Sequence, residues 1–311
     1  MATLKNLKEK MVGVKKTAKV TRAMESLSAI KMRTAQKKAL NSRYYAFQVF
    51  SIIKRLSKIV GHQVDEIFAS KTPIEGKNII LLVSPDKGLT GGMNNFLFKK
   101  VNRVIKNNQF NKDNVSFVCV GRKGHSFVSK LGYDIDKYFD GVEEKSASEN
   151  VNEVSEYLNK LYRENDISQV IIIFTKFLNT SEQKAVHRII LPVIYSELKT
   201  FIKNILPTKG KFSDEEMIEI DETDVESYVF EPSIETVIKE VIPFAFSVSL
   251  HHSLLESFAS EHSARMLAMK NSTDKANELA EDFRKKYNKE RQSKVTQEVS
   301  EIVSGIEAMK K

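Results

Sequence analysis

The chain has 311 residues, with 49 Lys or Arg against 40 Asp or Glu, a formal net charge of +9. That length suits one large domain or two modest ones, and an apolar fraction of 41% is enough to bury a core. Only 12 Gly and 6 Pro exclude a collagen-like chain or a sandwich of many short strands, and the single Cys119 excludes a disulfide framework or a thiolate metal cluster.

The charge is unevenly spread. Residues 1–60 hold 15 Lys or Arg against Glu9 and Glu25 alone, a net +13, while 61–230 carry 22 basic and 25 acidic residues and 231–311 carry 12 and 13. A basic arm on a nearly neutral body implies an acidic partner, whether nucleic acid, anionic lipid or protein. No run of 18 apolar residues occurs, and the lysines at 5, 8 and 10 break up any signal-peptide stretch. The default expectation is an intracellular, soluble chain.

From Thr3 to Val60 there is no Pro and only Gly13. A 3-4 spacing from Leu4 picks out Leu7, Met11, Val14, Ala18, Thr21, Glu25, Ser28, Met32, Ala35, Ala39, Ser42, Ala46, Val49, Ile53, Leu56 and Val60. Thirteen of these 17 positions are apolar, a coiled-coil seam rather than the face of a globular helix. Its Ala- and Ser-rich middle allows a partner helix to approach closely. Such a helix is roughly 85 Å long, too long for a compact core.

The middle of the chain reads differently. The apolar runs Asn78–Val83, Val115–Val120 and Gln169–Phe174 are short and rich in β-branched residues, which predicts strands buried on both faces of an α/β sheet. Helices are predicted at Asn94–Asn107, His125–Leu131 and Asn150–Asn165, and Ala185–Ile194 is a candidate further strand. Residues 208–227, with eight acids and two lysines, read as a solvated excursion, followed by a strand-like Ser227–Phe230. Pro232-Ser233 offers a stop and an N-cap, and a second long helix is predicted from 233 onward, kinked or restarted at Pro243. Its apolar stripe (Phe244, Val248, Leu255, Ala259, Met266, Met269, Ala276, Ala280, Phe283, Tyr287) slips in phase to Val295, Val299, Ile302, Ile306 and Met309. The expected fold is α/β with long helices. The N- and C-terminal helices, 1–60 and 233–311, pair as an antiparallel two-helix coiled coil, and a central Rossmann-like α/β domain spans 75–232.

Chemistry-bearing motifs are weak. Gly121-Arg122-Lys123-Gly124 sits between a strand and a helix but lacks the third glycine of a dinucleotide fingerprint and the Lys-Ser/Thr of a P-loop. It reads as a tight turn. The glycine-rich loop Asp86–Gly92 matches no phosphate motif and reads as a structural turn or protein contact. His251, His252, Glu256 and His262 fall on the C-terminal helix without HExxH or a third ligand, and read as solvated or seam-edge residues. No catalytic constellation appears. Nucleic-acid binding by the basic helix stays open as the alternative, weakened by the lack of aromatics between residues 1 and 43.

Several motifs, however, resemble a known family in order along the whole chain. TRAMESLSAIKMRTAQ at Thr21–Gln36 and ASEHSARMLAMK at Ala259–Lys270, continued through Thr273–Ala276, Tyr287–Gln292 and VTQEVSEIVSG at Val295–Gly305, are similar to the gamma subunit of F-type ATP synthases. SPDKGLTGGMN at Ser84–Asn94, Gly121–Gly124 and Tyr228–Pro232 agree. Departures are Thr90, where the family often has Cys, the acidic stretch at 208–227, and the missing regulatory dithiol of the chloroplast form. The resemblance implies a non-catalytic rotor without cofactor or metal. Its paired helices would turn inside a ring of three alpha and three beta subunits, and its α/β domain would touch the epsilon subunit and the membrane c-ring. By family correspondence, contacts with the ring fall on Arg22, Met24, Lys31, Arg33, Arg265, Arg291, Gln292, Thr296 and Glu298. The apolar tip (Val299, Ile302, Val303, Ile306, Met309) would be the bearing. Because the agreement begins at Met1-Ala2, the resemblance implies a bacterial complex without a transit peptide, on the cytoplasmic face of the plasma membrane.

Overall fold

The computed structural model describes residues 4–60, 77–142, 147–164, 167–192, 231 and 233–309. The acidic stretch 208–227 and the strand-like Ser227–Phe230 lie outside the described residues. In chain order the elements are α1 (Leu4–Val60), β1 (Lys77–Val83), α2 (Met93–Asn107), β2 (Val115–Val120), α3 (Arg122–Leu131), β3 (Ile135–Phe139), α4 (Ala147–Arg163), β4 (Ile167–Asn179), β5 (Glu182–Leu191) and α5 (Ile234–Met309).

Two compact units emerge: Met1–Ser28 with Arg265–Lys311, and Ala29–Ala264. The second holds a five-stranded sheet in the order β3-β2-β1-β4-β5. Its first three pairings are parallel and β4–β5 is an antiparallel hairpin. The sheet's two faces build two cores because successive side chains of a strand point to opposite sides. Ile79, Leu81, Val118, Val120, Val170 and Ile172 pack with α4 and with apolar residues of α1 and α5. Ile80, Leu82, Phe117, Cys119, Ile171 and Ile173 pack against α2 and α3. Burial on both faces is why β1, β2 and β4 read as continuous apolar runs.

β3 was not foreseen. It is an outer strand whose Asp136 faces solvent, so it carries neither a continuous apolar run nor clean alternation. α5 runs unbroken through Pro243, so the helix does not restart there. Ala245, Phe246 and Leu250 just beyond it are buried, and that packing offsets the roughly 3 kcal/mol cost of a proline inside a helix.

In the first unit, Thr21 Oγ1 and Thr273 Oγ1 lie 2.6 Å apart, and Leu7, Ala18, Met269, Ala276 and Ala280 are buried. In the second unit, Ser42 Oγ lies 3.3 Å from His252 Nδ1. Each unit thus holds its own contact between α1 and α5. Of the seam positions from Leu4 to Leu56, none is exposed.

Candidate partner-binding surface

The candidate contact residues fall into three settings. On α1, Arg22 and Arg33 are exposed and Met24 and Lys31 half-buried. They flank the seam, so their side chains leave the helix beside the α5 contact rather than within it. On α5, Arg291, Gln292, Thr296 and Glu298 are exposed, as are all residues from Asn288 to Ile306, together with Ala308 and Met309. Arg265 differs: it is only 8% exposed and already engaged within the chain.

The α5 terminus has a clear pattern. Val295, Val299, Ile302, Ile306 and Met309 repeat at the 4-3 spacing of a coiled-coil seam, yet all lie in solvent, Met309 at 89%. The register explains why. If Thr21 meets Thr273, then Leu4 falls opposite residue 290, and described α1 residues give the seam beyond that point nothing to face. Local bonds keep this stretch helical: Thr296 Oγ1 donates to the Gln292 carbonyl at 2.9 Å, and Gln297 Nε2 donates to Glu301 Oε1 at 2.9 Å. Lys294 and Glu298 add an i, i+4 ion pair at 4.0 Å, which is exposed and worth at most a few tenths of a kcal/mol. An apolar seam held helical and uncovered is a surface for another molecule. A second exposed row on α1, Val12, Val20 and Leu27, escaped the sequence reading, although Val20 and Leu27 stand one heptad apart.

The glycine loops are occupied by the chain's own atoms. At the start of α3 the Arg122 amide donates to Asp86 Oδ1 at 2.8 Å, and the Lys123 amide to the Pro85 carbonyl at 3.1 Å. The Gly124 amide donates to Ser84 Oγ at 2.7 Å. These N–H groups would otherwise cradle a phosphate. Gly121 has φ +91°, and a Cβ there would stand 1.9 Å from the Ser84 carbonyl oxygen, so glycine is required for this crossing. The geometry is that of a tight turn.

The histidine cluster corrects the sequence reading. His252, Glu256 and His262 are buried rather than solvated, and His252 sits at the seam against Ser42. α5 is covered here by α1 on one side and by β4–β5 on another, through Ser42 and through Ser260 Oγ, which donates to the Thr175 carbonyl at 3.0 Å. Among the described residues no group of three or more His, Cys, Asp or Glu could hold a metal ion. Burial pushes the Cys119 thiol up to about 12, leaving it a neutral core residue.

The family model described as ATP synthase matches residues 3–309. The ATP synthase gamma chain of Cytophaga hutchinsonii is 31% identical over 312 residues, covering 99% of each chain. That of Chlorobaculum parvum is 32% identical over 313 residues, covering 100% of both. Among solved structures, a chain of the Euglena gracilis mitochondrial ATP synthase (OSCP, F1 and c-ring) aligns with a TM-score of 0.61 at 16% identity, over 98% of this chain and 94% of that one. A chain of the Tetrahymena thermophila central stalk and c-ring aligns at 0.53 and 21% identity, over 81% and 98%. This chain belongs to the gamma-chain family of the ATP synthases.

Proposed function

We propose that this chain is the central-stalk rotor of an F-type ATP synthase, coupling ion-driven rotation of a membrane c-ring to conformational cycling of catalytic sites on the beta subunits. The observation that carries the reading is the uncovered seam of α5. A full-length member of the family presents a stable helix whose apolar row has no partner among its own described residues. A ring of alpha and beta subunits, three of each, would surround it. Val299, Ile302, Val303, Ile306 and Met309 would then act as a bearing. Apolar contacts are non-directional, so a shaft can pass three equivalent positions without breaking oriented hydrogen bonds at each step.

Contacts to the ring would come from Arg22, Met24, Lys31 and Arg33 on α1 and from the polar Arg291, Gln292, Thr296 and Glu298 on α5. Arg265, being buried, would act by holding the helix from which its neighbours project. The net +13 of residues 1–60 would set up a field felt by acidic partner segments over about 8–10 Å. No residue of this chain would perform the chemistry. Among the described residues no helix is long and apolar enough to cross a membrane. The chain would reach the membrane through the epsilon subunit and c-ring, on the cytoplasmic face. The nucleic-acid alternative gains no support from the fold or the relatives.

Co-expression with the alpha and beta subunits of the same source, followed by sizing and an ATPase assay, tests this. One copy per three alpha–beta pairs, with hydrolysis that requires it, is the expected result. A chain that stays alone and retards a polynucleotide probe overturns the proposal in favour of the basic-helix alternative.

A further inference from the structure

One row of α5 is built unlike the rest of the helix. Ser249, Ser253, Glu256, Ser260 and Ser263 follow one another at 4-3-4-3 spacing, and all five are buried. The serines at its far end bond to the hairpin: Ser260 Oγ to the Thr175 carbonyl at 3.0 Å and Ser263 Oγ to the Thr180 carbonyl at 2.6 Å. Gln183 Nε2 of β5 reaches back to Ser263 Oγ at 3.4 Å. Small hydroxyls let helix and hairpin approach closely. They grip weakly, because a hydroxyl that loses one carbonyl bonds the next with little net loss.

Glu256 is the exception in this row. It is 6% exposed, its Oε1 lies 3.6 Å from His252 Nε2, and its Oε2 has no hydrogen-bond partner among the described residues. His252 is itself bridged to α1 through Ser42. From the hairpin, Lys176 of β4 and Arg188 of β5 act on the carboxylate electrostatically, and the Arg188 guanidinium stands 5.3 Å over the Phe174 ring. A buried carboxylate whose charge is favoured by Lys176 and Arg188 on two strands cannot shift along the hairpin as a hydroxyl can. Displacement would strand an uncompensated charge in a dry interior.

We propose that Glu256 is the positioning residue that locks α5 to the β4–β5 hairpin, so that force applied to the α/β unit turns the long helix rather than slipping past it. The inference rests on the rotor reading. It concerns neither the ring contacts nor the bearing tip.

The test uses the whole membrane complex reconstituted in vesicles, with wild type, Glu256→Gln and Glu256→Asp compared. Two rates are read per assembled complex: ion-driven ATP synthesis, and ATP hydrolysis by the detached ring with its shaft. With Glu256→Gln, synthesis falls about ten-fold, the scale of loss when an intact machine is misaligned, while hydrolysis stays within about two-fold. Glu256→Asp, which keeps the charge, recovers most of the synthesis. Equal losses in both rates, no loss in either, or an Asp variant as poor as Gln would overturn the proposal. Should Glu256→Gln fail to assemble, Glu256→Gln combined with Arg188→Gln removes a carboxylate and a cation together and is measured instead. Assembly with uncoupled synthesis supports the lock, and normal coupling or failure to assemble overturns it. If the wild-type chain itself supports no coupled synthesis, the rotor reading is what has failed.

Discussion

Two stretches of α5 have similar helical character and opposite surroundings. From Ala245 to Ala264 all but Ser247, His251 and Glu261 are buried, and those three are half-buried. From Asn288 to Ile306 every residue is exposed, although Val299, Ile302, Val303 and Ile306 are as apolar as Leu250 or Leu255. Hydrophobicity therefore does not decide what the chain buries. The neighbour does: α1, α4 and the sheet surround the first stretch, whereas described α1 residues run out opposite residue 290. The first stretch is used to hold the fold together, and the second is left for another molecule to cover.

Equivalent truncations should separate the two stretches. The largest effect is expected from Leu255→Ala, which opens a cavity in a fully buried site and should lower unfolding free energy by about 2–5 kcal/mol, read by urea denaturation of the isolated chain. A loss under about 1 kcal/mol would mean that this part of α5 is not packed as described.

Acid should act next, through the buried stretch. Burial, then the nearby His252 and Lys38, hold His251 below its ordinary 6.5. The unfolded chain therefore binds that proton more readily, and stability falls as pH drops below about 6.5. For Glu256, burial pushes the carboxyl up, but the neighbouring His252, Arg188 and Lys176 outweigh it and hold it below its ordinary 4.5. Its stabilisation is complete above 4.5 and is lost as pH falls through the lower folded value. Both groups point the same way, so the urea midpoint should decline below about pH 6.5 and decline again in stronger acid. A midpoint flat down to that second window would remove His251 from the account.

Cys119 supplies a smaller but sharper readout. A thiol raised to about 12 by burial is neutral at working pH, so alkylation near pH 8 should be negligible in the native chain and complete in denaturant. Labelling of native protein at the unfolded rate would show that this side of the sheet opens freely. The smallest effect belongs to Ile302→Ala, which should change the isolated chain's stability by no more than about 0.5 kcal/mol. Deleting residues 300–309 should nonetheless weaken assembly with alpha and beta more than it abolishes rotation. Full complex stability after that deletion would leave the exposed seam without its expected use.

Most of the architecture was legible because its signals are local. Proline-free 3-4 periodicity marks α1, and unbroken β-branched runs mark β1, β2 and β4. The antiparallel pairing of α1 with α5 followed from the matching seams. β3 was hidden because Asp136 and Lys137 interrupt its pattern at an outer position. Glu256 was hidden for another reason. An acid on a helix reads as solvated unless its neighbours at 4-3 spacing are examined, and the buried serines at 249, 253, 260 and 263 form a row that ends against the hairpin's backbone. Arg265 was legible as a family residue but not as a buried one, because its cover comes from elsewhere in the fold.

The order of the strands carries one more consequence. Among the described residues β3 and β5 are the sheet's two margins, and each shows charge to solvent: Asp136 on the first, Glu182 and Lys184 on the second. An open strand margin invites a strand from another molecule, and side-chain charge makes that pairing unfavourable. A part that must turn freely among many copies of itself and its neighbours is thereby denied the simplest way of sticking to them.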